Sequence, residues 1–538
     1  MQRTTGLILG LALLPAAAGA QSLPTVDPVL QRIWQQGMEQ SQVEPLLQTL
    51  TDSIGPRLTG TPAMQAASEW AIAQYTRWGI SARREPYGTW KGWRRGVSHL
   101  DLLRPRVRSL EGGLLAWSPG TPRTRPIEAP VVVLPALADS TAFAGWLPSV
   151  QGKLVAISFP EPTCRPDDAW EEYAREGDQR FAALMRRFGQ IPPPSVFDKM
   201  RGARAAADSA WDRRVAASGY SARTLPDALA AAGAAGLLTT NWSQGYGVVR
   251  IFDARGTDKI PTFWLGCEDY GLVARLAERG QGPVVRAQAD AEFLGDVPAF
   301  NTIAEIPGTT RPDEYIMLSA HFDSWDGGSG ATDNGTGTIM MMEAMRILRS
   351  AYPAPARTIV VGHWNSEEQG LNGSAAFAHD HPAIVQGLQA LFNQDNGTGK
   401  VATVSTLGLV GATESLGRWW GRLPTELTRN IRLDLPGSPS GGGTDHASFI
   451  CAGAPAVALN SEPWDYFGYT WHTNRDTFDK VVIENVQFNA TLVAMLAYLA
   501  ASDPAPVARD RRVMPGNPRT GQQGRWPECQ DGARIWSR

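Results

Sequence analysis

The stretch Tyr315-Ile316-Met317-Leu318-Ser319-Ala320, running into His321-Phe322-Asp323, decides the fold. It is a short, nearly continuous apolar run, the pattern of a parallel strand covered on both faces. It ends in an imidazole and a carboxylate. A glycine-rich loop follows to Asp333-Asn334-Gly335, and a Met-rich helical pattern occupies 335–349. The order then repeats. The apolar run 358–364 ends in Asn365-Ser366-Glu367-Glu368-Gln369-Gly370, and the run 390–394 ends in Asp395-Asn396-Gly397. A fourth strand is expected at 456–460 and a helix at 485–501. This alternation predicts an α/β fold: a mixed, mostly parallel sheet with helices on both faces. In such sheets functional groups gather beyond the carboxyl ends of the strands.

Upstream, 28–52 and 62–79 carry apolar residues at helical spacing, among them Met64, Ala67, Trp70, Ala71 and Tyr75. The link Ile54-Gly55-Pro56-Arg57-Leu58-Thr59-Gly60-Thr61-Pro62 between them is rich in turn formers. From about 100 the character changes. Short β-type runs at 131–134, 154–157, 236–240 and 262–265 are separated by Gly and Pro, and 165–232 reads as Arg- and Ala-rich helices interrupted at Ile191-Pro192-Pro193-Pro194. The expected organisation is therefore 27–104 and 296–505 as one domain and 105–295 as a β-rich domain inserted into it, with its helical excursion at 165–232. Residues 506–538 form an extension over the surface.

The 538 residues include 43% hydrophobic and 19% charged, enough for sizeable cores, and the formal net charge is −3. A strongly basic nucleic-acid binder is excluded as the default. The apolar stretch 6–18 follows Arg3 and ends in Ala18-Gly19-Ala20. It is too short for a bilayer, which takes roughly 20 apolar residues, and has the order of a cleavable leader over 1–20. The expected product is exported, periplasmic or secreted, with no stable membrane insertion. Cys164, Cys267, Cys451 and Cys529 contain no Cys-x-x-Cys pair. One or two disulfides, or free buried thiols, are both consistent with their spacing.

Each polar segment has a plain alternative when taken alone. Asp333-Asn334-Gly335 makes a turn and helix cap, Glu367-Glu368 a solvated loop, and His472 in Trp471-His472-Thr473-Asn474-Arg475-Asp476-Thr477 a hydrogen-bonded core histidine. His363, His379 and His381 keep that plain reading. His446, in Gly443-Thr444-Asp445-His446-Ala447-Ser448-Phe449, is expected to line the cleft. Together, however, the carboxylates would crowd one crevice and repel, and divalent cations resolve that repulsion because His nitrogen and carboxylate oxygen are zinc ligands.

The set His-x-Asp, Asp-Asn-Gly, Glu-Glu, a strand-terminal Asp and a late His-Thr-x-x-Asp-Thr resembles the co-catalytic di-zinc exopeptidases. Within them it is most similar to the carboxypeptidase Q (plasma glutamate carboxypeptidase) branch, through His321-Phe322-Asp323-Ser324-Trp325-Asp326, Glu367-Glu368-Gln369-Gly370 and Gly55-Pro56-Arg57-Leu58-Thr59-Gly60. The resemblance covers about 27–505. It is strong over 313–480, weak over 105–295, where that family carries a protease-associated domain, and absent in the tail. It implies two zinc ions per chain. One is held by His321, Asp333 and Asp395, the other by Asp333, Glu368 and His472. It implies that Asp323 holds the His321 ring, that Glu367 is the general base, and that the protein forms a homodimer. A tyrosine hydroxyl, from Tyr466 or Tyr469, would assist the oxyanion.

The expected activity is hydrolysis of dipeptides or short peptides through a metal-activated water, of aminopeptidase, carboxypeptidase or dipeptidase type. A single-zinc glutaminyl cyclase on the same fold and a non-catalytic receptor-like relative are the alternatives. The first would need one zinc, and the second usually lacks ligands. Neither Gly-x-Ser-x-Gly nor His-Glu-x-x-His occurs.

Overall fold

The runs expected as buried strands form the middle of the sheet. In the computed structural model Ala456–Ser461, Leu388–Asn393, Arg311–His321 and Arg357–Trp364 lie side by side in that order, all parallel. Val401–Ser405 flanks one side antiparallel and Val284–Ile306 the other. The structure describes residues 25–122, 125–173, 175–191, 195–251, 256–516 and 521–536, so the expected leader 1–20 and the prolines at 192–194 lie outside the described residues.

Arg357–Trp364 is buried along its whole length, which accounts for its unbroken apolar character. Register does the functional work. Trp364 stands opposite His321, and Asn393 opposite Ser319, so the segments after three neighbouring strands leave the sheet at one level. The helix Thr336–Ala351 packs with the C-terminal helix Ile483–Ser502 and with Pro28–Trp34 and Val43–Gln48 in the main core. Its Met340, Met341, Met342 and Met345 are buried there, flexible side chains that fill irregular gaps.

Strands Ser81–Arg104 and Val284–Ile306 pair antiparallel from Ser81 opposite Glu305 to Arg104 opposite Val284, bending at several register shifts. The expected border at 295 falls inside this ribbon. Further along, Ile127–Val133 joins the same strand antiparallel, followed by Leu154–Ala156, Gly236–Thr239 and Thr262–Leu265 in parallel and Gly112–Leu114 antiparallel. This region has apolar clusters of its own, one around Leu102, Val131 and Phe263 and one around Val155, Trp211 and Leu229. The helices Asp167–Tyr173, Arg175–Arg187 and Val196–Ala217 make up its excursion.

All four cysteines are paired. Cys164 bonds Cys267 within residues 105–295, and Cys451 bonds Cys529, tying residues 506–538 to the segment before them. The extension lies against the rest of the chain. Trp526 Nε1 donates to the Ile450 carbonyl at 2.9 Å, and Ile535 bridges to Thr89. Among the described residues no helix is long and apolar enough to cross a membrane.

Candidate metal centre

His321 is the last residue of its strand, and its ring is fixed from behind. Nδ1 lies 3.0 Å from the Asp323 carbonyl oxygen, to which it donates, and the His321 carbonyl accepts the Thr338 hydroxyl at 2.7 Å. Nε2 therefore faces the crevice, 3.1 Å from Asp395 Oδ1 and 3.3 Å from Asp333 Oδ1. Asp395 follows the strand Leu388–Asn393 by two residues.

Asp333 sits in the turn Ala331–Gly335 that leads into Thr336–Ala351. The Asp476 carboxylate accepts the backbone N–H groups of Thr332 at 2.7 Å and Asp333 at 3.0 Å and so aims the turn. Asn334 Oδ1 accepts the Gly337 N–H at 3.0 Å and its Nδ2 donates to the Gln394 carbonyl at 3.0 Å. A Cβ on Gly337 would stand 2.3 Å from Asn334 Oδ1, so the helix start has no room for a side chain there.

After Trp364 the chain turns sharply at Ser366, whose φ is +60°. The Asp323 carboxylate accepts the N–H groups of Glu367 at 3.1 Å and Glu368 at 3.3 Å. This refines the expectation for Asp323. Its carbonyl holds the His321 ring, while its carboxylate, 3.7 Å from Nδ1, orients the two glutamates. From that turn the glutamates diverge. Glu368 Oε2 lies 2.8 Å from His472 Nε2, and Glu367 Oε2 lies 4.0 Å from His321 Nε2. His472 Nε2 is also 3.1 Å from Asp333 Oδ2. The two oxygens of Asp333 thus face two different histidines. His321, Asp333 and Asp395 form one group able to hold a metal, and Asp333, Glu368 and His472 the other.

The electrostatics fit cations. Asp333 Oδ2 and both oxygens of Glu368 are buried without a hydrogen bond, which is costly for anionic oxygens. Burial works against a charged His472, yet Glu368 and Asp333 outweigh it and raise the ring to about 10. For His321 burial is likewise outweighed, here by Asp395 and Glu367. Both rings lie in a field that attracts positive charge, and a zinc ion between nitrogen and oxygens satisfies it. Arg57 is fully buried nearby, but its guanidinium donates to the carbonyls of Phe322, Ser329 and Gly330 and stitches the loop after His321 to the N-terminal link.

Burial pushes the Glu367 carboxyl well above the usual range, and Glu368 up to about 7 with Asp333 adding to the effect. Glu367 belongs to neither metal group. Tyr466 is buried, and its hydroxyl is held protonated by burial and by the charges of Asp333, Asp395 and Glu368. Tyr469 packs instead towards Gly245 of the insert. His446 lies by the site with both ring nitrogens lacking a hydrogen bond, and burial lowers it to about 4 against the pull of Asp395. His363 bonds the Tyr75 hydroxyl at 2.7 Å and His381 bonds Glu85 at 2.7 Å, while His379 pairs with Asp380; all lie outside the metal groups.

The supports that the sequence did not announce are Asp476 and Arg57. Asp476 stood in the His-Thr-x-x-Asp-Thr motif without a role. Asp445 precedes His446, and burial lifts its carboxyl to about 7. Nothing in spacing marks Asp476 as a support.

Residues 301–497, which contain all the ligand candidates, match the model described as Peptidase family M28. Carboxypeptidase Q of Bos taurus is 27% identical over 467 residues, covering 86% of each chain, and that of Homo sapiens is 25% identical over 468 residues, again 86% of each. The crystal structure of a Peptidase M28 precursor from Shewanella amazonensis SB2B aligns with TM-score 0.61 and 23% identity over 89% of this chain and 97% of that one. The zinc aminopeptidase BSAP from Bacillus subtilis aligns with TM-score 0.52 and 18% identity over 87% and 97%. The structural likenesses show a shared fold. The family match and the carboxypeptidase Q likenesses make the chain a metallopeptidase, a hydrolase, similar to the co-catalytic zinc exopeptidases.

Proposed function

We propose that this chain is a co-catalytic zinc exopeptidase that is exported and hydrolyses dipeptides or short peptides with two zinc ions. One observation carries the reading. Asp333 presents Oδ1 to His321 at 3.3 Å and Oδ2 to His472 at 3.1 Å, with a further carboxylate completing each side. That is the donor set of two cations sharing a bridge, His321 and Asp395 on one side and Glu368 and His472 on the other. When bound, such a pair lowers the pKa of a water and polarises the scissile carbonyl.

The side chains divide the remaining work. Glu367 takes the proton of the attacking water and passes it to the leaving amine. Its buried carboxyl, pushed up from the ordinary range, retains that proton between the two transfers. Tyr466, kept protonated, donates its hydroxyl to the oxygen that gains charge in the transition state. Asp323 keeps Glu367 and Glu368 pointing apart through their N–H groups. The inserted region 105–295 walls the cleft and limits substrate length without supplying a metal ligand. The leader over 1–20 and the two disulfides support export.

A dipeptide library and aminoacyl chromogenic substrates, assayed with and without chelator, test this function. Chelation is expected to abolish turnover and zinc to restore it. Full activity in metal-free protein would overturn the reading.

A further inference from the structure

His472, like Asp333, neither ends nor directly follows a strand of the sheet. It lies in the loop after the turn Tyr466–Thr470, and its φ is +56°, a left-handed conformation that a side chain adopts only when its surroundings hold it there. Those surroundings come from the insert. The Ile251 N–H donates to the His472 carbonyl at 2.8 Å. The Asn474 N–H donates to the Val249 carbonyl at 3.1 Å. The Asn474 side chain closes the same junction from both of its ends. Oδ1 accepts the Val249 N–H at 2.9 Å, and Nδ2 donates to the Gly247 carbonyl at 3.0 Å. Between them Arg250 and Thr473 form an antiparallel bridge.

The imidazole is held from the same side. Trp471 stacks on the His472 ring with centroids 4.1 Å apart and planes at 26°. The Arg250 guanidinium lies 5.1 Å over the Trp471 ring and donates to the Phe467 carbonyl at 2.9 Å. Insert residues therefore fix the backbone that carries the ring and brace the aromatic plane behind it. No comparable contact reaches His321 or Asp395 among the described residues; their supports come from the central domain.

We infer that insert residues 247–251 and Asn474 form a clamp that positions His472, so that metal affinity at Asp333, Glu368 and His472 depends on how the insert docks, whereas affinity at His321, Asp333 and Asp395 does not. The inference rests on the two-cation reading above. Asn474 and Arg250 are positioning residues. They act through His472 and touch no reacting atom.

Metal-stripped full-length protein titrated with Zn²⁺ alone, against a chromophoric chelator of known affinity, reads the coupling. Wild type is expected to take up two ions. Asn474→Ala should weaken one of the two by about 10–100-fold, the usual cost of losing an outer support of a ligand, and leave the other within about threefold. Asn474→Asp keeps the acceptor for Val249 but loses the donor to Gly247 and should fall between. Arg250→Gln removes the half-buried guanidinium contacts to Trp471 and Phe467 but leaves the backbone bridge to Thr473; it should weaken the same ion by a smaller factor and covers the case in which Asn474→Ala does not fold. A merely structural role would lower thermal stability while leaving the two affinities together. Equal loss at both sites, or no loss at either in both variants, overturns the clamp. Wild-type protein that takes up only one ion overturns the two-cation reading, and the clamp with it.

Discussion

The two halves of the candidate metal centre are built in different ways. On one side His321 and Asp395 leave adjacent parallel strands at the same level; the Asp323 carbonyl fixes the ring, and the Thr338 hydroxyl holds the His321 backbone carbonyl. On the other side Glu368 and His472 come from loops. The chain reaches them through left-handed Ser366 and His472, with φ of +60° and +56°. A left-handed residue other than glycine costs on the order of 1–3 kcal/mol, so distant groups must hold this half in place. Asp323 does so for Glu368, and the insert for His472. The sheet-built half is rigid because its strands are. The loop-built half is as precise as its tethers, and it is the half that other parts of the molecule can tune.

The sharpest way to break this comparison is at the pair of adjacent glutamates. Glu367→Gln keeps size and hydrogen bonding but removes basicity. It should reduce kcat by about 10²–10⁴ with both zinc ions retained. Glu368→Ala should instead lower the occupancy of one zinc before activity is measured. Metal analysis and steady-state kinetics on the two variants separate the roles. Metal loss in Glu367→Gln with retention in Glu368→Ala would reverse the assignment. Tyr466→Phe comes next. Losing one donor to the oxyanion should reduce kcat by about 10²–10³ with little change in KM, whereas Tyr469→Phe, facing the insert, should leave kcat close to wild type.

A smaller effect is expected at Asp476, which aims the shared ligand rather than one side. Asp476→Ala removes the acceptor of the Thr332 and Asp333 N–H groups. Zinc affinity should then fall about 10–100-fold at both sites together. Competition with a chelator distinguishes this joint loss from the one-sided loss expected at the clamp.

The mildest effect concerns the sheet itself. His363 is buried in the strand Arg357–Trp364, and burial lowers its pKa to about 3. In the unfolded chain it titrates near 6.5, so between those values the unfolded state binds more protons and stability falls as the pH falls. This contribution is fully present above about pH 6.5. His363→Gln should flatten the loss by up to about 1.4 kcal/mol per pH unit across that window. Denaturant midpoints from pH 7 to 4 measure it. An unchanged slope would mean that His363 does not contribute to the acid sensitivity of the core.

The sheet-built half was also the more legible in the sequence. A buried run that stops in His321-Phe322-Asp323, or one followed by Asp395, announces the strand and places a polar residue at its end, because strand length and side-chain type lie in one local window; the ligand roles came with the resemblance. The loop-built half was legible only through its motif, Glu367-Glu368 and the late His472, together with the resemblance those residues carry. Its tethers were not. Asn474 meets Gly247 and Val249 across more than two hundred residues, and no local pattern encodes that encounter. The same holds for the pairing of Cys164 with Cys267 and Cys451 with Cys529, which proximity decides and spacing does not. Asp323 shows a finer limit. The resemblance implied that Asp323 holds the His321 ring; its carbonyl meets the ring nitrogen, and its carboxylate accepts the two glutamate N–H groups, a division that no sequence pattern encodes.

Anomalous diffraction at the zinc edge, from crystals of the protein loaded with zinc, tests the shared-bridge account most directly. The account predicts two peaks about 3.5–4 Å apart, one bounded by His321 and Asp395, the other by Glu368 and His472, with one oxygen of Asp333 on each and Glu367 beyond ligand distance of both. A single peak, or a pair in which Glu367 replaces Glu368 as a ligand, would contradict it.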